Sequence, residues 1–258
     1  MSARAKHAVV WGFLVVLGVV AGAQPGVAQS TIYKTRKSAS STWSPVLPLT
    51  IGSAFEYELN NDQTDWGFPI LIQYNFTEFL QVSVEPSFGH IKGKTEDVRT
   101  VGGVGDLDTS IDWEFLRERR WTPALGLEGT VRWPTASDPD LGNRNHDYSV
   151  GLVLSKDCVF FDLDSNVIYT FSGDRDVQSK LEISLAAQYP VSRRLEIDAE
   201  FVQAIETGPG RSRTPSEVTF GFGWNFNPFL TMEYGTQVRS DGTWQELLGF
   251  QYSFGGND

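Results

Sequence analysis

Between residues 106 and 115 the side chains divide strictly by two. Leu107, Thr109, Ile111, Trp113 and Phe115 occupy one set of alternate positions, and Asp106, Asp108, Ser110, Asp112 and Glu114 the other. A strand sends successive side chains to opposite faces, whereas a helix would spread those acids around its whole circumference. The segment therefore specifies a sheet with one greasy and one acidic face. The same division recurs along the chain. Trp66, Phe68, Ile70, Ile72, Tyr74 and Phe76 share a face, as do Leu181, Ile183, Leu185, Ala187 and Tyr189. Val218, Phe220, Phe222, Trp224 and Phe226 oppose Thr219, Gly221, Gly223 and Asn225.

Twelve such segments follow one another, near 48–59, 66–76, 79–91, 104–116, 124–134, 146–155, 159–172, 179–190, 194–206, 216–226, 229–240 and 243–254. Most match or slightly exceed the roughly 9–11 residues with which a tilted strand crosses a bilayer. The connections alternate in length. Tight turns are expected at 75–78, 156–158, 191–193 and 227–228, with a longer one at 117–122. Loops are expected at 60–65, 92–103, 135–145, 173–178 and 207–215, and a tight final hairpin at 241–242. Short turns on one side and longer loops on the other are the habit of membrane barrels. The expected fold is all-β: a transmembrane antiparallel up-and-down β-barrel of about 12 strands over residues 47–254. A soluble sandwich or lipocalin-like barrel also alternates by two. It would have to bury either this many long strands or a core crowded with carboxylates.

Residues 1–28 have the layout of a secretory signal: Arg4 and Lys6, an apolar run from Ala8 to Ala23, then small-x-small sites ending at Ala23 and Ala28. Residues 29–46 are expected to be a periplasmic N-terminal segment whose Lys34, Arg36 and Lys37 could plug an acidic lumen, and residues 255–258 a tail. The chain is expected to be exported to the cell outer membrane, with outer-membrane lipid and the barrel assembly machinery as partners. Gly249 followed by aromatic residues at alternate positions, Phe250, Tyr252 and Phe254, near the C-terminus resembles a barrel-assembly signal.

Charge narrows the function classes. The formal charge is −11, and removing residues 1–28, with two bases and no acid, makes it −13. Such a chain repels phosphate backbones, so no nucleic acid is expected as partner. Cys158 is the one cysteine and cannot form an internal disulfide. Mean hydropathy is −0.23, as expected where greasy and wet faces average out.

With the aromatic face outward, the alternate face lines a lumen. It would carry Glu56, Glu58, Glu85, Asp106, Asp108, Asp112, Glu114, Glu128, Asp162, Asp164, Glu182, Glu196, Asp198, Glu200, Glu217 and Glu233, against Arg132, Lys180 and Arg239. Rings of carboxylates favour cations and oppose anions, so neutral or cationic small-molecule solutes are the expected cargo. Girdles at the two interfaces are expected from Trp66, Tyr74, Phe76, Trp113, Trp133, Trp224, Tyr234 and Trp244. No cofactor, metal site or catalytic residue is expected. His90 and His146 read as rim residues, and His146 and Ser149 are an odd number of positions apart and so face opposite sides of a strand. A phospholipase-like barrel hydrolase and a structural or adhesive surface barrel are the alternatives; the modest loops favour a bare conduit over the latter.

Gly103-Val104-Gly105-Asp106-Leu107, Pro123-Ala124-Leu125-Gly126-Leu127 and Val131-Arg132-Trp133-Pro134-Thr135 together resemble the outer-membrane transporter family associated with meta-pathway phenol degradation. In that family a G-x-GD strand start precedes a strand ending in a Pro-Thr-Gly-like turn; here Ala136 stands in the third place. The specific motif covers residues 102–136. The resemblance implies a twelve-stranded channel moving hydrophobic or aromatic compounds, with no particular substrate fixed.

Overall fold

The computed structural model describes residues 48–60, 62–95, 98–173, 178–207 and 216–254. The signal at 1–28, the segment at 29–46 and the tail at 255–258 lie outside the described residues. The elements are twelve strands: β1 (Leu49–Leu59), β2 (Gln63–Thr77), β3 (Leu80–Gly93), β4 (Val101–Leu116), β5 (Ala124–Trp133) and β6 (Asp147–Asp157) form one half. The other half is β7 (Asp162–Phe171), β8 (Ser179–Pro190), β9 (Leu195–Thr207), β10 (Ser216–Asn227), β11 (Leu230–Arg239) and β12 (Trp244–Phe254). Each strand pairs antiparallel with its neighbours in sequence, and β12 pairs with β1 from Leu49 opposite Phe254 to Leu59 opposite Trp244. Closure leaves no unpaired sheet edge.

The period of two becomes inside and outside. Ile72, Tyr74, Phe76, Ile111, Trp113, Leu152, Phe201, Phe220 and Phe250 are exposed on the outer wall. The inner face continues from strand to strand across β7 to β12 and on to β2: Asp164 stands opposite Ala186, Ala186 opposite Glu200, Glu200 opposite Thr219, and Thr219 opposite Gln237. Gln237 then meets Gln245, Gln245 meets Glu58, and Glu58 meets Asp65. An apolar exterior around a polar interior is the inverse of a soluble core, and it is the architecture of a transmembrane barrel.

The interior is not uniformly wet, as strict alternation would make it. Leu71, Val153, Val202, Ala204 and Leu247 point inward and are buried. Among the described strand residues the exterior has one acid: Glu246 on β12 accepts from Trp244 Nε1 at 2.7 Å and Thr236 Oγ1 at 3.1 Å, and is also bonded by the Tyr234 hydroxyl. Those donors take the place of water for a carboxylate on the greasy face.

β2 runs on to Thr77, so its turn to β3 falls at 78–79 rather than 75–78, and three other connections differ more from the sequence reading. β2 begins at Gln63, so the first hairpin is tight, closed by Asn60 Oδ1 accepting the N–H groups of Asp62 and Gln63. Lys156 and Asp157 belong to β6, and the tight turn lies at 158–161, where Cys158 N–H donates to the Phe161 carbonyl at 2.9 Å. The period through Phe160 and Phe161 is interrupted by Val159 at φ 72°, which no apolar count reveals. The third is the connection at 134–146, which folds inward.

Candidate functional site

The residues that the alternation assigned to a lumen fall on β1, β3–β5 and β7–β11. Glu56 and Glu58 stand on β1, Glu85 on β3, Asp106, Asp108, Asp112 and Glu114 on β4, and Glu128 and Arg132 on β5. Asp162 and Asp164 follow on β7, Lys180 and Glu182 on β8, Glu196, Asp198 and Glu200 on β9, Glu217 on β10, and Glu233 and Arg239 on β11. The register adds four acids to that face: Asp65, Asp147, Asp157 and Glu206 pair with Glu58, Arg132, Asp162 and Lys180 respectively. Asp65 was assigned to a loop by its polar neighbours, and Asp147 and Glu206 sit at strand ends, where a period of two has too few repeats to read.

Among the described residues, each of the three inward bases is held by acids. Arg132 grips Asp108 with two parallel bonds, Nε to Oδ1 at 2.9 Å and an η nitrogen to Oδ2 at 2.8 Å. Arg239 donates from Nε to Glu217 at 3.0 Å and reaches Glu58 at 3.7 Å, and Lys180 pairs with Glu182. Acids also face acids across strands. Asp112 stands opposite Glu128 and Glu85 opposite Asp108, an arrangement that costs stability in an ordinary sheet. Gln81 donates to Asp112 at 3.3 Å and Thr130 to Glu128 at 3.2 Å.

At the end bearing the longer loops, a bulge shapes the wall. Pro86 pairs with Leu107 but Phe88 pairs with Val104, so Gly105 and Asp106 together oppose Ser87. A bulge of this kind turns two consecutive side chains toward one face, and both residues are buried. Asp106 thereby meets the connection 134–146. Its Oδ1 accepts the Ala136 N–H at 3.1 Å and its Oδ2 the Asn143 N–H at 2.6 Å. Ser137 runs beside Val104, its N–H on the Val104 carbonyl at 2.8 Å and its Oγ accepting the Val104 N–H at 3.0 Å. Asn143 Nδ2 donates to Asp147 at 2.5 Å, and Arg99 holds Asp138 and Asp140 from outside.

Glycine makes the seat. A Cβ on Gly103 would lie 2.1 Å from Ser137 Oγ, and one on Gly89 would lie 3.3 Å from Leu141. Gly142 packs so closely on the Asp106 carboxylate that a Cβ there would come within 2.4 Å. The Gly103-x-Gly105-Asp106 and Pro134-Thr135-Ala136 motifs, thirty residues apart in sequence, are thus two halves of one clamp. Thr135 Oγ1 donates to the Gly105 carbonyl at 3.3 Å. The expectation of a bare conduit is corrected: Leu141, Gly142 and Asn143 reach into the mouth and roof a cavity of about 310 Å³ walled by Glu56, Glu85, Asp108 and Arg132. Nothing in the periodicity marked Leu141 or Asn143, because a loop that packs by backbone hydrogen bonds carries no repeat.

The histidines stay off this face. His90 packs on Trp66 with ring centres 5.1 Å apart, and His146 on Trp133 at 5.2 Å. Ser149 bonds Thr170 inside the barrel at 2.8 Å. Among the described residues no group of three or more His, Cys, Asp or Glu is placed to hold a metal ion.

Fold and wall together define a class: a closed twelve-stranded barrel with a greasy exterior and a polar, acid-rich lumen. No family model and no curated protein sequence matches the chain. Solved structures do. The chain is similar to an outer membrane channel from Pseudomonas putida F1, with a TM-score of 0.68 at 14% identity, covering 83% of this chain and 98% of that one. It is also similar to the NanC porin, with a TM-score of 0.60 at 7% identity over 79% of this chain and 100% of that one. The KdgM porin, seen in complex with disordered oligogalacturonate, gives a TM-score of 0.56 at 11% identity over 79% and 99%. At these identities the likeness is one of fold.

Proposed function

We propose that this protein is an outer-membrane channel through which small neutral or cationic solutes pass passively, hydrophobic or aromatic compounds among them. The observation that carries the reading is the lumen wall. Every strand except β12 presents at least one carboxylate to it, while its three bases among the described residues are each engaged by acids. A file of carboxylates inside a low-dielectric barrel lowers the energy of a cation there and raises that of an anion. The exposed aromatic exterior supports residence in a membrane, and the similar solved barrels support the outer membrane in particular. The preference for aromatic compounds is supported by the resemblance of residues 102–136 to the phenol-pathway transporters, and by Leu141 and Pro69 lining the cavity beneath the loop. His146 and Ser149 on different sides of the wall support transport over hydrolysis.

The test is the reversal potential of the purified protein in a planar bilayer under a potassium chloride gradient. A potential on the cation-selective side is expected. Anion selectivity, or no conductance together with failure to fractionate with outer membranes, overturns the proposal.

A further inference from the structure

At the end bearing the short turns, two apexes stand side by side. In the first, Arg119 and Thr122 exchange backbone bonds at 2.9 and 3.1 Å, which puts Arg120 and Trp121 at the tip. In the second, the Cys158 to Phe161 bond puts Val159 and Phe160 at the tip. Glu118 fastens one to the other: its carboxylate accepts the Asp157 N–H at 3.2 Å and pairs with Lys156, whose ammonium also reaches the Arg119 carbonyl. The tips carry the most exposed large apolar side chains of the described residues, Trp121 at 85%, Val159 at 74% and Phe160 at 73%. Val159 holds φ 72°, a left-handed conformation that a β-branched residue adopts only at a cost in strain.

Among the described residues at this end bases outnumber acids, which are Glu78, Glu118, Asp157 and Asp162. Arg117, Arg119, Arg120 and Lys156 cluster here, and Arg193 and Arg194 lie exposed in another short turn at the same end. Arg117 is engaged by Glu78 at 2.7 Å and lies over the Phe79 ring at 4.2 Å. Among the described residues Arg119 and Arg120 have no acid within ion-pair reach, and the Arg120 guanidinium lies over Trp121 at 5.5 Å. The apolar tips continue the greasy outer wall through Phe115, Leu116 and Phe161, all exposed.

We propose that the paired turns at 117–123 and 158–161 form a docking surface for the anionic headgroups of the phospholipid leaflet at the short-turn end. Trp121 and Phe160 lie at the level of the glycerol backbone, and Arg119 and Arg120 take the phosphates. Three features select lipid as occupant: continuity with the membrane-facing wall, basic charge facing an anionic surface, and a Trp-Arg pairing suited to the boundary between hydrocarbon and water. The inference rests on reading the chain as a membrane barrel.

The test uses the full chain in vesicles of phosphatidylcholine, with and without phosphatidylglycerol. Lipid retained by the protein is read by native mass spectrometry for the wild type and for R119Q/R120Q/W121S. The wild type is expected to prefer phosphatidylglycerol roughly tenfold, and the variant to lose that preference. Heat-modifiable gel migration shows that the variant barrel is folded. As a second readout, an environment-sensitive dye on Cys158 of the wild type is expected to be quenched by nitroxide-bearing phospholipid and shielded from aqueous iodide. Equal retention of the two lipids by the wild type, or iodide quenching without nitroxide quenching, overturns the inference and leaves a protein partner as the occupant. Failure of the wild type to insert into either vesicle overturns the membrane reading itself.

Discussion

The carboxylate of Asp106 accepts the backbone N–H of Asn143 at 2.6 Å, across 37 residues of chain. A loop over a wide mouth has little apolar surface to bury, so its position is set by bonds such as this one. Asp106 supplies two, one on each carboxylate oxygen, and a bond of this kind contributes about 1.5–3 kcal/mol in general. Asp106→Ala is expected to weaken the inturned state of residues 134–146 by on the order of 3 kcal/mol. Single-channel conductance should rise and limited proteolysis within the loop should quicken. Unchanged conductance and protection would show that the loop is held by other contacts.

Gly103 is where the loop sits. Its absent Cβ would come within 2.1 Å of Ser137 Oγ, so Gly103→Ala should lift the loop at Ser137 away from Val104 and reproduce the Asp106→Ala phenotype. G103A/S137A removes the colliding oxygen along with its bonds to Val104, and so relieves the clash without restoring the bonds. Its protease sensitivity should lie between wild type and Gly103→Ala.

Arg132 is the one base on the wall of the cavity beneath the loop. Arg132→Gln removes a positive charge and releases the paired Asp108, so the local field becomes more negative. The reversal potential is expected to move further toward cation selectivity, and Asp108→Asn to move it back. A shift of Arg132→Gln toward anions would contradict the electrostatic account of the lumen.

The β11–β12 hairpin depends on Gly242 at φ +91°. Gly242→Ala should cost about 1 kcal/mol, read as a lower midpoint of urea unfolding in detergent or vesicles. Next to it, the Thr243 N–H bonded to Asp241 at 2.9 Å holds that carboxyl below the usual carboxylate range. A depressed folded-state value stabilises above the unfolded value near 4 and fades as pH falls through the lowered one. Asp241 is largely exposed, so Asp241→Asn should give a small loss at neutral pH that vanishes in strong acid.

Much of this protein could be read from the order of its residues. The two-residue period gave twelve strands whose bounds differ from the observed ones by three residues or fewer, since each strand here must put one face in grease and one in water. The same period pointed Asp106 through Glu114 to one side, because the bulge at Gly105 lies just before that run begins. It failed where the period stops. Val159 breaks the pattern with a left-handed turn, Asp65 lies in a strand start too polar to recognise, and Leu71, Val153 and Val202 fill the inside against the rule.

What the sequence by itself determined, then, is the barrel: a local alternation repeated often enough that only a closed sheet satisfies both faces. The inturned loop was decided only by the tertiary structure. Gly103, Gly105 and Asp106 meet Ser137, Gly142 and Asn143 through backbone hydrogen bonds and the absence of Cβ atoms. Neither leaves a periodic trace, and both exist only once β4 and β5 have been paired side by side.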